Sequence, residues 1–341
     1  MATLGTHLVG SLPSPSSARD AFLTALSAFP SRLLRLPDGE PGPRAGWIEW
    51  QRDVFPTDMQ KQFDASFNPV PLPDVAPDVA QAAVHALPPL VPGYFDAAME
   101  SWEAFKGLKE EGKVPQGWRF QVSLPTPVAV VSFLRPAYQP LMEPLYERAL
   151  LAELERLQDA VPVEELAVQW DFAAEIVTIE GARWPIFDAW FEDYENESVR
   201  KLARLVGSVR EEVQVGVHLC YGDIGNKHSV EPKDTGLLTR VANEVIRQAG
   251  RKVDWVHMPV PIGREDDAYF EPLKGLEIGE TDLYLGLVHG FDEDGTKRRI
   301  ETAKKVVEKF GIGTECGMGR TPGEKFGSIG QISTKFSQPV V

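Results

Sequence analysis

Among 341 residues there are two cysteines, Cys220 and Cys316. The first closes Gly216-Val217-His218-Leu219-Cys220, at the end of a short β-branched run. In a strand, side chains at i and i+2 share a face. His218 and Cys220 therefore present a ring nitrogen and a sulfur side by side, both donors that suit Zn²⁺. Alone, a His-x-Cys pair is a weak signal, because core packing explains most of them. Cys316 lies in Gly313-Thr314-Glu315-Cys316-Gly317-Met318-Gly319-Arg320, just after another apolar run. If both runs are strands of one parallel barrel, their C-terminal ends open on a common mouth and the thiols converge. The plainer alternative is a pair of inert buried thiols. A disulfide is disfavoured in a cytoplasmic chain.

A zinc ion with three protein ligands keeps one coordination position open. Two thiolates and an imidazole donate strongly and temper the metal's Lewis acidity. Such a site is poorly suited to making hydroxide and well suited to holding an incoming thiol as a thiolate. The chemistry to expect is S-alkylation. Other polar residues fall at the same predicted rim: Ser11, Asp38, Glu40, Thr126, Asp171, Glu175, His257 and His289. Each alone reads as a solvated loop residue or a satisfied core polar group. Their shared position at strand ends is what sets them apart.

The elements that must position these residues follow from hydrophobic period. Predicted strands are Thr6–Gly10, Ser31–Leu36, Trp118–Leu124, Leu166–Trp170, Val213–His218, Val253–Met258, Asp282–Leu287 and a weak Ile312–Glu315. Helical patterns lie between most of them. One opens at Ser16 or Ser17 with Ala21, Phe22, Ala25 and Leu26 on one face; others are Tyr138–Asp159, Glu197–Glu212, Asp234–Ala249 before Gly250, and Thr296–Phe310 before Gly311. Eight strands alternating with helices predict an α/β fold, a single (β/α)₈ TIM barrel over residues 1–341. A doubly wound sheet is the rival, but no Gly-x-Gly-x-x-Gly follows the first strand. Residues 53–115 break the rhythm as an insertion between the second and third strands. Seven prolines between Pro69 and Pro92 predict an extended loop there, and Tyr94–Lys113 reads as helical. A lid over the mouth and an arm for a homodimer are the two expectations for this insertion.

Thirty-five basic against 50 acidic residues give a formal charge of −15. General binding to nucleic acid or to anionic membrane is therefore not expected. No apolar run approaches the roughly 20 residues that span a bilayer, and Met1–Gly10 lacks a basic segment before an apolar core. A cytoplasmic protein is the expectation.

Taken in order, these residues resemble the catalytic barrel of cobalamin-independent methionine synthase, within a superfamily that includes uroporphyrinogen decarboxylase and epoxyalkane:coenzyme M transferase. Val9-Gly10-Ser11-Leu12-Pro13 resembles the family's opening Gly-Ser-Phe-Pro. Asp38-Gly39-Glu40-Pro41 matches its Gly-Glu stretch in part, and Pro125-Thr126-Pro127-Val128 is similar to its Gly-Pro-Val-Thr turn. Gln169-Trp170-Asp171 resembles Gln-Ile-Asp. His218-Leu219-Cys220-Tyr221 and Glu315-Cys316-Gly317 resemble the zinc motifs His-x-Cys and Asp-Cys-Gly. The resemblance implies zinc ligands at His218, Cys220 and Cys316. It implies Ser11, Glu40 and Asp171 around an amino-acid thiol such as homocysteine, with Asp171 and His289 catalytic and His289 assisting proton delivery. Its partners would be a small thiol and an alkyl donor, folate-like or corrinoid-linked.

The chain also departs from the family. Pro259 stands where the family has a further glutamate ligand, and His257 on the same strand face is the residue that would replace it. Asp171 is followed by Phe172-Ala173 instead of Glu-Pro, Leu287 replaces an aspartate, and no tryptophan stands at Val131 or Ser132. Two other readings keep the residues but not the alkylation. One is a lyase, hydrolase or decarboxylase on the same barrel; the other is a non-catalytic zinc-binding or methyl-carrier protein.

Overall fold

The computed structural model describes residues 4–64, 68–181, 189–222, 228 and 230–340. In chain order its strands are β1 (Arg35–Pro37), β2 (Gln62–Phe63), β3 (Pro69–Val70), β4 (Arg119–Pro125), β5 (Leu166–Phe172), β6 (Gln214–Leu219), β7 (Trp255–Pro259), β8 (Asp282–Gly286) and β9 (Gly311–Ile312). The α-helices of its first half are α1 (Ala18–Ala28), α2 (Pro77–His85), α3 (Tyr94–Glu110), α4 (Pro127–Val131) and α5 (Gln139–Ala160). Those of its second half are α6 (Ala174–Ile179), α7 (Tyr194–Gly207), α8 (Gly236–Gln248), α9 (Asp267–Phe270), α10 (Glu293–Ala303) and α11 (Gly323–Phe336).

Seven strands form one parallel, curled sheet in the order β1-β4-β5-β6-β7-β8-β9. Sequential parallel neighbours need crossovers, and the helices between them supply these. Strand residues alternate between two environments. Val122, Leu124, Val168, Trp170, Val215, Val217, Val256, Met258, Leu283 and Leu285 join the large apolar core with the helices. The opposite face carries Gln121, Gln169, His218, His257 and Tyr284, all buried. Two glycines make room on that face. A Cβ on Gly216 would lie 2.0 Å from the Trp255 indole, and one on Gly311 would lie 2.4 Å from the Tyr284 ring. Arg35 covers this layer, 4.1 Å over the Trp255 ring and 3.2 Å from the Tyr284 hydroxyl.

The expected first strand, Thr6–Gly10, is not one. Its segment makes single parallel bridges at Thr6 to Ile312 and at Ser11 to Gly39. The His7 and Thr6 amides donate to the Ile312 and Arg32 carbonyls, and the Leu12 amide donates to Gly39. The bonds reach β9 on one side and the residues flanking β1 on the other, and are too widely spaced to form a ladder. The weak last strand is shorter than expected and starts earlier, at Gly311.

Helical boundaries also differ from expectation, and α7 runs Tyr194–Gly207 where Glu197–Glu212 is predicted. The Pro-rich stretch contains α2, because Pro77 occupies the first turn, where its missing N–H costs nothing. Pro69 lies in the short β2–β3 ribbon. α10 stops at Ala303, ahead of Lys304-Lys305-Val306-Val307, where like charges and β-branched side chains disfavour continuation. Within residues 53–115, α3 buries Trp102 and Phe105 against Phe120 of β4. No helix among the described residues is long and apolar enough to cross a membrane.

Candidate metal centre

β6 ends at Leu219 and the chain continues to Cys220, whose amide donates to the Phe172 carbonyl of β5. That bond prolongs the strand geometry by one residue and keeps Cys220 on the face of His218. Cys316 arrives from the loop after β9. The two Sγ atoms, 96 residues apart in sequence, lie 3.7 Å from each other. A ligand atom from each of His218, Cys220 and Cys316 lies within 4.8 Å of the others. Two sulfurs bound tetrahedrally to one zinc at about 2.3 Å stand roughly 3.8 Å apart, so the thiol pair already has the edge length of such a site. The donor set also fits. His218 is buried and its Nε2 has no hydrogen-bond partner. Burial and neighbouring His257 push its pKa well below the usual value, which leaves the imidazole neutral as a ligand requires. The hydrogen bond to Cys316 and burial push the Cys220 thiol up, so ionising it needs a cation.

His257 stands behind this group. It pairs with His218 in strand register, and the two Nδ1 atoms are 2.8 Å apart. That is a hydrogen bond and not the spacing of two ligands on one ion, which would be about 3.3 Å. The structure thus places His257 against the imidazole of His218, outside the trio.

Glu40 and Asp171 lie at the same mouth. Asp171 is buried, accepts from Gln169 Nε2 at 2.9 Å and takes a further hydrogen bond from the Trp47 side chain; burial raises its pKa to about 7. Gln169 is itself fixed by His7 Nε2 at 2.7 Å from its Oε1. Burial first, and then the charges of Asp171 and Asp38, raise Glu40 to about 8. Its backbone is in the left-handed region, with φ 53°. Asp38 holds that turn by accepting from the Glu40 amide at 2.9 Å and from Ser101 at 2.7 Å, while it pairs with Arg44. Asp171 is buried and Glu40 half-buried, and both carboxyls stay protonated to unusually high pH. Ser11 braces the Cys316 loop: its Oγ accepts from the Gly319 amide at 3.1 Å, and its carbonyl accepts from Met318. Thr126 caps α4, and Glu175 is buried with its pKa raised to about 7 by desolvation.

A cavity of about 470 Å³ opens beside the sulfurs, with His228, His289, Glu315 and Lys325 also in its wall. His289 Nε2 donates to the Val260 carbonyl at 3.0 Å, and its Nδ1 is 3.6 Å from Glu315. Burial, and then Arg299, lower its pKa to about 3. His228 Nε2 is 2.9 Å from the other Glu315 oxygen. Sequence reasoning passed over His228, which follows no strand end. It also passed over His7, which the alternation from Ser11 through Val9 would have placed inward, and Trp47, for which no local pattern exists.

Among solved structures the chain matches a B12-independent methionine synthase from Shewanella sp. W3-18-1, in complex with selenomethionine. The TM-score is 0.57 at 16% identity, covering 98% of this chain and 96% of that one. The likeness is one of fold. No protein-family model and no curated protein matches the chain.

Proposed function

We propose that this chain is an enzyme that transfers a methyl or other alkyl group to the thiol of a small amino thiol at a zinc site formed by His218, Cys220 and Cys316. The observation that carries the reading is the 3.7 Å approach of two sulfurs from remote strand ends beside an imidazole nitrogen with no other partner. We read the sheet, with the Gly5–Leu12 segment bonded to both edges, as a closed (β/α)₈ barrel that opens at this end. Zinc held there supplies a cation that ionises a bound thiol near neutral pH and leaves its sulfur nucleophilic.

The chain's own residues do the rest. Glu40 and Asp171 take the ammonium of the substrate and release their protons to solvent as it enters. Gln169 orients Asp171, and Ser11 fixes the loop that carries Cys316. In the transfer, the sulfur bonds to the alkyl carbon as the carbon–leaving-group bond breaks, and the thiol's proton ends on the leaving group. His289 handles that proton. Burial keeps the ring neutral and its Nε2–H is engaged by Val260, so the thiol's proton is taken up and passed on at Nδ1, which stands 3.6 Å from Glu315. The donor, folate-like or corrinoid-linked, would occupy the 470 Å³ cavity. Tyr94 and Ala98 of α3 line a small cavity together with Glu40, which favours the covering role for residues 53–115 over a dimer arm.

The test is metal analysis of the purified protein alongside alkyl transfer to homocysteine and related thiols. One zinc per chain is expected in the wild type, with loss of zinc and of transfer in Cys220→Ser and Cys316→Ser. Wild-type protein without stoichiometric zinc, together with undiminished transfer by Cys220→Ser, sinks the reading.

A further inference from the structure

Arg299 of α10 is fully buried, and its planar fork ties together the ends of two neighbouring strands. Nε donates to the Leu287 carbonyl at 3.0 Å, just past β8 and two residues before His289. Nη1 donates to the Ile262 carbonyl at 2.7 Å, past β7 and two residues beyond Val260. Nη2 donates to Asp292 at 2.7 Å and to Thr296 at 3.3 Å. Val260 is the residue whose carbonyl receives the His289 Nε2–H at 3.0 Å. A carbonyl can only accept, so that bond fixes the ring as its Nε2–H tautomer and leaves the lone pair on Nδ1, beside Glu315 in the cavity wall. One guanidinium therefore holds both the loop that carries the ring and the loop that carries its acceptor.

The turn that follows His289 is strained. Phe291 has φ 63°, a region that bulky side chains rarely adopt. Its ring is 71% exposed, so packing of the side chain does not impose the conformation. Hydrogen bonds do. The Phe291 amide donates to Ser328 Oγ of α11 at 2.8 Å, and the Asp292 amide donates back to the His289 carbonyl at 3.2 Å. The Asp292 carboxylate caps α10 through the Gly295 amide and is held by Arg299. Such strain persists only where the surroundings over-determine it. Anchoring α10 alone would need no more than Asp292; the two carbonyls at the strand ends serve the mouth.

We propose that Arg299 is a positioning residue that clamps the loops after β7 and β8 together and so holds His289 in its Nε2–H form, with Nδ1 free to take a proton. The proposal rests on the transfer reading for its purpose but not for its geometry. Arginine suits the task because its donors diverge in one rigid plane and reach both carbonyls at once, which a lysine ammonium does not.

The test uses the full chain with ¹⁵N-labelled histidine, whose six rings make a tractable spectrum; the signal missing from His289→Gln identifies His289. Two-bond ¹H–¹⁵N correlations read its tautomer. Wild type should show the Nε2–H form alone, and Arg299→Met a mixture of both. In that variant kcat for methyl transfer from 5-methyltetrahydrofolate to homocysteine should fall roughly 10–100-fold, the cost of a small misplacement, with KM for the thiol and zinc content unchanged. Transfer from methyl iodide, whose leaving group needs no proton, should be spared. Arg299→Lys keeps the charge but not the fork, and should behave as Arg299→Met does. A wild-type ring protonated at Nδ1, a lysine variant with the wild-type tautomer, or equal loss with both donors overturns the proposal. If Arg299→Met fails to fold, Asp292→Asn decides. It still caps α10 but loses the ion pair, and should mix the His289 tautomers; an unchanged spectrum overturns the clamp. A chain that shows the expected tautomers but transfers no methyl group supports the clamp and defeats only the transfer reading.

Discussion

Glu40 occupies a backbone region that a side chain rarely adopts, at φ 53°, directly after Gly39 at φ 77°. Such a conformation costs about 1–3 kcal/mol and persists only where its surroundings impose it; here Asp38 does so through the Glu40 amide. Glu40→Gly should therefore stabilise the metal-free fold by about 1 kcal/mol in urea unfolding while abolishing saturation by the amino thiol. The same residue gives a pH signature. Burial raises its carboxyl from 4.5 to about 8, so between those values the folded chain binds a proton that the unfolded chain has released. Its contribution to stability is complete below about pH 4 and is lost as pH climbs through 8. Urea midpoints of metal-free protein should fall from pH 5 to pH 8.5, and Glu40→Gln should flatten that fall; an equal slope in the variant would refute the assignment. At this scale the sequence was legible where a period forced the answer. His218 and Cys220 share a face because strands alternate, and Asp171 follows from the end of β5. The orientation of His289 toward Val260, the second ring behind His218 and the reach of Trp47 to Asp171 are set by partners remote in sequence, and no local spacing encodes them.

Elements hold these residues through close approach. Gly216 lies two residues before His218, and the Trp255 indole fills the space that a Cβ would need. Gly216→Ala should cost about 1–3 kcal/mol by overpacking and displace β7 from β6. A drop in zinc affinity alongside the lower urea midpoint would show that the two strands share the strain. α3 is anchored by its neighbour: Glu153 of α5 accepts from the Gly93 and Phe95 amides at 2.8 and 3.1 Å. These are donors that a helix N-terminus leaves without an intrahelical partner, met by a carboxylate. Glu153→Ala should destabilise by about 1–3 kcal/mol and raise hydrogen exchange across Tyr94–Ala98 before other segments. α5 and α8 were legible because their apolar stripes are continuous. α2 was hidden by its prolines, and the end of α10 by the valines and lysines that follow it.

At the scale of the molecule, the candidate ligands His218, Cys220 and Cys316 come from segments remote in sequence, so an ion bound to them would act as a cross-link that the unfolded chain lacks. Binding at a thousandfold excess over Kd adds about 4 kcal/mol to folding. Chelation should lower the Tm reversibly in the wild type and leave it unchanged in Cys316→Ser; equal shifts in both would remove the centre from this account. The parallel architecture was legible from the alternation of strands and helices. The Gly5–Leu12 segment was not, because its bonds are split between two edges. That split has a consequence for how the protein is made. Residues 5–12 leave the ribosome about 300 residues ahead of their partner at Ile312 and of the loop braced by Ser11. The nascent chain must hold this segment undocked through all of that synthesis, and the two thiols cannot meet until Cys316 has emerged in its turn.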